Sequence, residues 1–263
     1  MNKTKIDWCD MSWNPVTGCR HGCEYCSARR IAERFNGYFG NDGIHDLKEP
    51  VRDKWRDEET GEVILGRKEP FPYAFAPTFH RYRLDQPQKK REPQTIFVCS
   101  MADLFGEWVP DEWIASVFDS CRKAPQHRYL FLTKNPARYI RLASALKLPA
   151  EPNFWYGVSA ERHDKAEAAF RHLPAGWRGF NFFLSAEPLH GNINLPALAT
   201  WPKWVILGAE TGAGKSKHRP RMDWIADIVA QASARNIPIF MKESIREVWG
   251  DQIIQEYPWE VRS

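Results

Sequence analysis

Short apolar runs recur along the chain at Thr95–Cys99, Arg128–Leu132, Asn153–Val158, Phe180–Leu184, Trp204–Leu207 and Ile237–Met241. Each is rich in Phe, Val, Ile, Leu or Tyr, the composition of a strand buried on both faces. Trp13–Thr17 is a weaker candidate for an opening strand. Between these runs the period changes to that of a helix. Ala28, Ile31, Ala32 and Phe35 keep the i, i+3, i+4, i+7 spacing, as do Ile114, Val117, Phe118 and Cys121. The same spacing returns at Ala166, Ala169, Phe170 and Leu173 and at Ile225, Ile228, Val229 and Ala232. Pro110-Asp111-Glu112 and Asn135-Pro136 are helix-start signals.

Alternating strands and helices predict an α/β chain with a parallel sheet and right-handed crossovers. Strand starts lie about 25 to 33 residues apart for most pairs, close to one unit of a (β/α) barrel. The expectation is one domain over residues 1–263: a parallel (β/α) barrel, partial or open, of about six to seven units. Residues 37–92 break the rhythm. They are charged, rich in Gly and Pro, and too long for a crossover, which predicts an inserted flap. Lys89, Lys90 and Arg91 close that insertion as a basic run, either a solvated surface or a nucleic-acid contact.

Polar residues cluster just after the predicted strands. The runs lead into Ser100-Met101-Ala102-Asp103, Thr133-Lys134-Asn135, Ser159-Ala160-Glu161, Ser185-Ala186-Glu187-Pro188, Gly208-Ala209-Glu210-Thr211 and Lys242-Glu243. In a parallel barrel these C-terminal ends share one mouth, where catalysis is found. Ser159 or Asn135 alone could be a helix cap. A polar ending on each of these strands reads as an active-site rim.

Composition narrows the setting. Hydrophobic residues make up 43% of the chain and no long apolar run occurs, which excludes a membrane span. Met1 to Trp8 lacks the apolar stretch of a secretory signal, so a cytoplasmic location is expected. A reducing compartment makes clustered cysteines more often ligands or catalysts than disulfides. A net charge of +4 permits an anionic partner without demanding one. The 12 Trp, 8 Tyr and 15 Phe suit a packed interior or stacking on bases.

Three of the six cysteines fall in Gly18-Cys19-Arg20-His21-Gly22-Cys23-Glu24-Tyr25-Cys26, spelling C-x3-C-x2-C between a candidate strand and the first helix. Three thiolates on one tight loop can hold three corners of a four-iron, four-sulfur cluster, leaving one iron without a protein ligand. Two other uses stay open on spacing: a Cys3His zinc site with His21, and a purely structural or redox cluster. Against zinc, His21 lies inside the first gap, where a short loop strains to bring four side chains together.

The spacing, with an aromatic residue just before the last cysteine, resembles the radical S-adenosylmethionine (SAM) superfamily. The resemblance implies a [4Fe–4S] cluster on Cys19, Cys23 and Cys26, with SAM chelating the open iron through its methionyl amine and carboxylate. It implies reductive cleavage of SAM to methionine and a 5′-deoxyadenosyl radical that abstracts hydrogen from a substrate, with electrons from an external flavodoxin- or ferredoxin-type donor. More closely, the chain resembles a phage-associated and bacterial family of unassigned activity. The matching stretches are Trp13-Asn14-Pro15-Val16-Thr17-Gly18-Cys19, Asp103-Leu104-Phe105-Gly106-Glu107, Leu132-Thr133-Lys134, Gly157-Val158-Ser159, Glu187-Pro188-Leu189 and Gly208-Ala209-Glu210-Thr211-Gly212.

By that resemblance Tyr25 lies near the adenine. Asp103, Ser159, Glu161, Glu187 and Glu210 are candidates for the methionyl amine or the ribose hydroxyls, because carboxylates accept from ammonium and hydroxyl groups. Thr133 and Lys134 are candidates for the methionyl carboxylate or an anionic substrate. Catalytic roles are expected first of Lys134, Glu187 and Glu210. For any one of them a structural ion pair stays open. Gly212-Ala213-Gly214-Lys215-Ser216 imitates a phosphate loop, but the required first glycine falls on Ala209, so ATP hydrolysis is rejected. Lys215 or Arg219 beside an anionic ligand at the mouth is the remaining use. The expected function is a radical SAM enzyme acting on an unknown substrate, with a nucleic-acid base or nucleotide as one class. The alternative is a non-catalytic, zinc- or iron–sulfur-stabilised nucleic-acid-binding module.

Overall fold

The computed structural model describes residues 1–35, 42–171, 173, 179–211 and 218–260, and at Trp55 the backbone alone. The strands are β1 (Asn2–Lys3), β2 (Met11–Trp13), β3 (Val16–Thr17), β4 (His45–Leu47), β5 (Arg52–Arg56), β6 (Val63–Lys68) and β7 (Thr78–His80). They continue as β8 (Thr95–Val98), β9 (Arg128–Thr133), β10 (Phe154–Ser159), β11 (Asn181–Ala186), β12 (Val205–Leu207) and β13 (Ile239–Met241). Helices α1 (Ser27–Arg34), α2 (Asp111–Arg122), α3 (Ala137–Ser144), α4 (His163–Phe170), α5 (Met222–Ser233) and α6 (Arg246–Trp249) complete the frame.

Eight strands form one sheet in the order β1-β2-β8-β9-β10-β11-β12-β13. Only β1–β2 is antiparallel; every other pair is parallel. The protein is therefore α/β with a large, mostly parallel sheet, and all seven parallel strands end on the same side. No helix among the described residues is long and apolar enough to cross a membrane.

Side chains alternate across a strand, and here each face has its own core. One carries Val98, Tyr129, Phe131, Phe154, Tyr156, Leu184 and Leu207 against the helices. From α2 it receives Ile114, Val117, Phe118 and Cys121, the predicted stripe. Each of the larger of these side chains contributes about 1.5–3 kcal/mol by leaving water. The other face carries Leu130, Trp155, Phe183, Ile206 and Phe240 with Trp8 and Trp204. Gly157 belongs to that face because a Cβ there would overlap the Phe183 ring. The sheet edges are joined by side chains. Glu243 N, just after β13, donates to Asp7 Oδ2 (2.9 Å), and Tyr257 OH donates to Asp7 O (3.3 Å).

Two local expectations differ from the structure. Trp13–Thr17 is not one strand: Pro15 has no N–H to continue a ladder. The chain leaves the large sheet after Trp13, and β3 joins a second sheet of order β3-β7-β4. In α1 the apolar period is split: Ala32 is buried and Ala28 lines the cavity described below, while Ile31 and Phe35 are 45% and 52% exposed. Within 42–92 the chain forms the β5–β6 ribbon and the strands β4 and β7. Thr78, Phe79 and His80 are fully buried, which makes β7 part of the core. At the end of that segment Lys89 pairs with Asp85 (2.5 Å) as an exposed helical-spacing ion pair.

Candidate active site

The cysteine loop is seated by its first glycine. Gly18 has φ +88°, its N donates to Met101 O (2.8 Å), and a Cβ would collide with the Ala76 carbonyl. Only glycine tolerates both the conformation and the approach. Cys19 N then donates to Phe75 O (3.2 Å), so the loop lies against the segment leading into β7. At its far end Cys26 caps α1, its Sγ accepting from Arg29 N (3.3 Å). All six cysteines are free thiols.

Cys19, Cys23 and Cys26 open onto a cavity of about 270 Å³ at the C-terminal ends of the parallel strands. Its wall includes Tyr25, Phe75, Phe97, Ser100, Asp103, Thr133, Lys134, Ser159, Glu187, Glu210 and Lys242. Three networks hold that wall. Lys134 Nζ donates to Tyr25 OH (2.9 Å), Ser159 Oγ (2.9 Å) and Glu161 Oε1 (2.8 Å), and Tyr25 OH also donates to Glu161. Asp103 accepts from His21 Nε2 (2.6 Å), Thr133 Oγ1 (2.8 Å), Lys134 N (2.9 Å) and Phe105 N (2.9 Å). Glu187 meets Lys242 Nζ (2.6 Å) and accepts from Ser185 Oγ (2.9 Å) and Trp8 Nε1 (3.2 Å). Gly208 leaves room for that pair: a Cβ would come within 2.8 Å of Glu187 Cγ.

These surroundings set the protonation states. Burial pushes the Cys19 thiol up to about 12 and raises Cys23. A buried thiol without a cation beside it stays protonated, and a bound metal reverses that preference. Burial works to raise the Glu161 carboxyl, but hydrogen bonds from Lys134 and Tyr25 and the lysine charge outweigh it and hold it at about 2. Burial, then the hydrogen bond to Glu161, pushes the Tyr25 phenol well above its usual range. Glu161 is thus a carboxylate, with Tyr25 a neutral donor to it. Among the described residues no group of three or more His, Cys, Asp and Glu side chains stands ready to hold a metal ion. The thiols share the cavity without being drawn to one point.

A family model matches residues 3–254. The chain belongs to the DUF5131 family. That family is described as a protein of unknown function. No curated protein and no solved structure matches the chain significantly. The DUF5131 match spans every cavity residue named above, from Cys19 to Lys242.

In this DUF5131 chain the residues expected at the rim are brought together. The three cysteines, Tyr25, Asp103, Thr133, Lys134, Ser159, Glu187 and Glu210 line the cavity, and Glu161 joins them through Lys134 and Tyr25. Asp103 and Thr133 spend their polar atoms on each other and on His21, so they position the wall. Ser159 and Asn135 are not helix caps: Ser159 accepts from Lys134, and Asn135 Nδ2 donates to Phe105 O (3.0 Å). Glu210 lies 3.8 Å from His190 Nε2 and accepts from His218 N (3.3 Å). Residues 212–217, with Lys215 in the glycine-rich turn, lie outside the described residues. Arg219 pairs with Glu247 and is not among the residues lining the cavity.

Sequence reasoning passed over four members of the DUF5131 site. Lys242 was legible only as a strand-end residue, and His21 only as a possible ligand. Trp8 and Phe75 lie in segments with no strand or motif signal; only the fold brings Phe75 to the cavity and sets Trp8 behind Glu187, to which its Nε1 donates.

Proposed function

We propose that this DUF5131 protein is a radical SAM enzyme on a partial (β/α) barrel, acting on a substrate of the nucleic-acid base or nucleotide class. The observation that carries the reading is the set of three free thiols on one glycine-seated loop, open to the cavity at the strand ends. Further support comes from strand order, which follows chain order from β8 to β13 as in a barrel, and from the edge contacts through Asp7. His21, the residue that would complete a Cys3His zinc site, lies inside the first gap and has Nε2 on Asp103, so only Nδ1 is left for a metal and a short loop must strain to bring it to the thiols.

Donor chemistry fits a cluster with one open iron: three thiols on one loop, the usual ligands of such iron sites. When bound, a [4Fe–4S] cluster with SAM supplies one-electron cleavage of a carbon–sulfur bond and a carbon radical able to abstract hydrogen. The chain's own part is holding and shielding. Cys19, Cys23 and Cys26 would hold the iron, and metal binding would draw the thiols together while displacing their protons. Tyr25 would flank the adenine. Glu161, Glu187 and Glu210 would take the methionyl ammonium or ribose hydroxyls, and Lys134 a carboxylate or an anionic substrate. Thr133 and Ser159 would orient these groups. An external flavodoxin- or ferredoxin-type protein would deliver the electron.

Anaerobic reconstitution with iron and sulfide tests the reading. The expected result is a brown protein that forms 5′-deoxyadenosine from SAM with dithionite. A colourless protein carrying one zinc and inert toward SAM would overturn it in favour of a metal-stabilised binding module.

A further inference from the structure

The β5–β6 ribbon takes no part in the cavity, and its register sorts its charges. Arg56 pairs with Val63, Trp55 with Ile64, Lys54 with Leu65 and Arg52 with Lys68, with an irregularity between Arg52 and Lys54. In an antiparallel ribbon, directly paired residues share a side, as do residues two apart on one strand. A bulge inserts one residue and leaves the pairing beyond it intact. One face therefore carries Arg52, Lys54, Arg56 and Lys68 with Val63 and Leu65, and all six are exposed.

The hairpin as a whole is close to neutral, so this is an arrangement and not an excess. Its carboxylates lie elsewhere. Asp57, Glu58, Glu59 and Glu62 sit at the turn. Asp53 meets Glu69 away from the cationic face, and the hydrogen bond between them raises Glu69. Among the described residues none of the four cations is in an ion pair. Arg52 and Arg56 each donate one bond to a hairpin carbonyl, at Gly66 (3.2 Å) and Gly61 (3.1 Å). Protecting an exposed ribbon edge calls for charge. It does not call for Val63 and Leu65 at 57% and 58% exposed beside those charges.

We propose that this face is a docking arm for a nucleic acid strand. Cations two residues apart on a strand are about 6.8 Å apart, close enough to the spacing of neighbouring phosphates along one nucleic-acid strand for successive cations to meet successive phosphates. Val63 and Leu65 between them offer apolar contact to sugars or bases. The arm is connected back to the cysteine loop through β4. Glu69 N closes it on Val51 O (2.9 Å), β4 leads into it, and Arg20 of the cysteine loop donates to Gly43 O (2.7 Å) just before β4. This names a partner class for the radical reading and rests on it only for the link to catalysis. Binding is measured without iron or SAM, so the two ideas fail separately.

The test is fluorescence anisotropy of a labelled single-stranded oligonucleotide, DNA and RNA in turn, with the full chain across a salt series. Lys54→Glu/Arg56→Glu/Lys68→Glu should weaken binding by about ten-fold or more and reduce the log–log salt slope by about 2. The milder Lys54→Gln/Arg56→Gln/Lys68→Gln should weaken it in the same direction with an unchanged far-UV spectrum. Equal affinity and slope in wild type and both variants overturns the proposal. So does a wild-type chain that binds phosphatidylserine vesicles but not the oligonucleotide.

Discussion

The His21 imidazole, inside the cysteine loop, reaches across to the Asp103 carboxylate, Nε2 to Oδ2 at 2.6 Å. Asp103 follows β8 and also binds Thr133 and Lys134 N at the end of β9, so one carboxylate ties the loop to two strand ends. The histidine in the C-x3-C gap is thereby a brace. His21→Ala should keep the iron content and visible spectrum of the anaerobically loaded protein while losing about 1.5–3 kcal/mol of stability, the worth of a charge-assisted bond. Metal analysis beside a denaturation curve decides it. Loss of metal to the level of a cysteine variant means the ring is a ligand after all.

The six thiols should divide by position. Cys23→Ala is expected to abolish SAM cleavage and most iron loading with an unchanged far-UV spectrum, because Cys23 is only half-buried at the cavity. Cys121→Ala should keep iron and cleavage but lose about 1 kcal/mol, since Cys121 is fully buried on the inner face of α2. Undiminished cleavage by Cys23→Ala refutes the ligand assignment.

Gly157 and Phe183 form a space-for-ring pair across β10 and β11. Gly157→Ala should cost about 1–3 kcal/mol through overpacking, read as a drop in Tm. Gly157→Ala/Phe183→Leu should recover part of it, because the added methyl then meets a smaller neighbour. A double variant no more stable than the single one argues against that pairing.

His80 gives the fold a pH dependence. Burial, and then the charge of Arg83, lower its pKa from 6.5 to about 2, and its ring is bonded to Thr17 Oγ1 (2.9 Å) and Tyr82 OH (3.0 Å). Between those two values the unfolded chain binds a proton that the folded chain refuses. This contribution is therefore complete above pH 6.5 and falls as pH drops below it, by about 1.4 kcal/mol per pH unit. His80→Gln should remove that slope. Urea titrations at pH 7 and pH 5 measure it, and equal slopes for variant and wild type contradict the assignment.

Much of this architecture was legible because a strand buried on both faces must be apolar throughout. The runs from Thr95, Arg128, Asn153, Phe180, Trp204 and Ile237 each overlap an observed strand of the large sheet, within two residues at either end. The rim residues were legible for the complementary reason, as polar groups where a buried strand ends. What stayed hidden depends on contacts distant in sequence. Ile31 and Phe35 of α1 keep the same period as buried positions and yet stay exposed, and periodicity does not say what lies opposite. The reading of Trp13–Thr17 as one strand passed over Pro15, and nothing local says that β3 pairs with β7, more than 60 residues away. Trp8 carries no local signal, since its place is set by Glu187 and the aromatic face around it.

The contact between Gly18 and Ala76 makes the insertion two unlike halves. The ribbon can be shortened, exchanged or decorated without disturbing the seat of the thiols, so related chains are free to vary there and adapt to different partners. The stretch from Phe75 to His80 has no such freedom, because the cysteine loop is moulded on its carbonyls. A transplant of the whole insertion as one cassette would carry away the mould along with the arm.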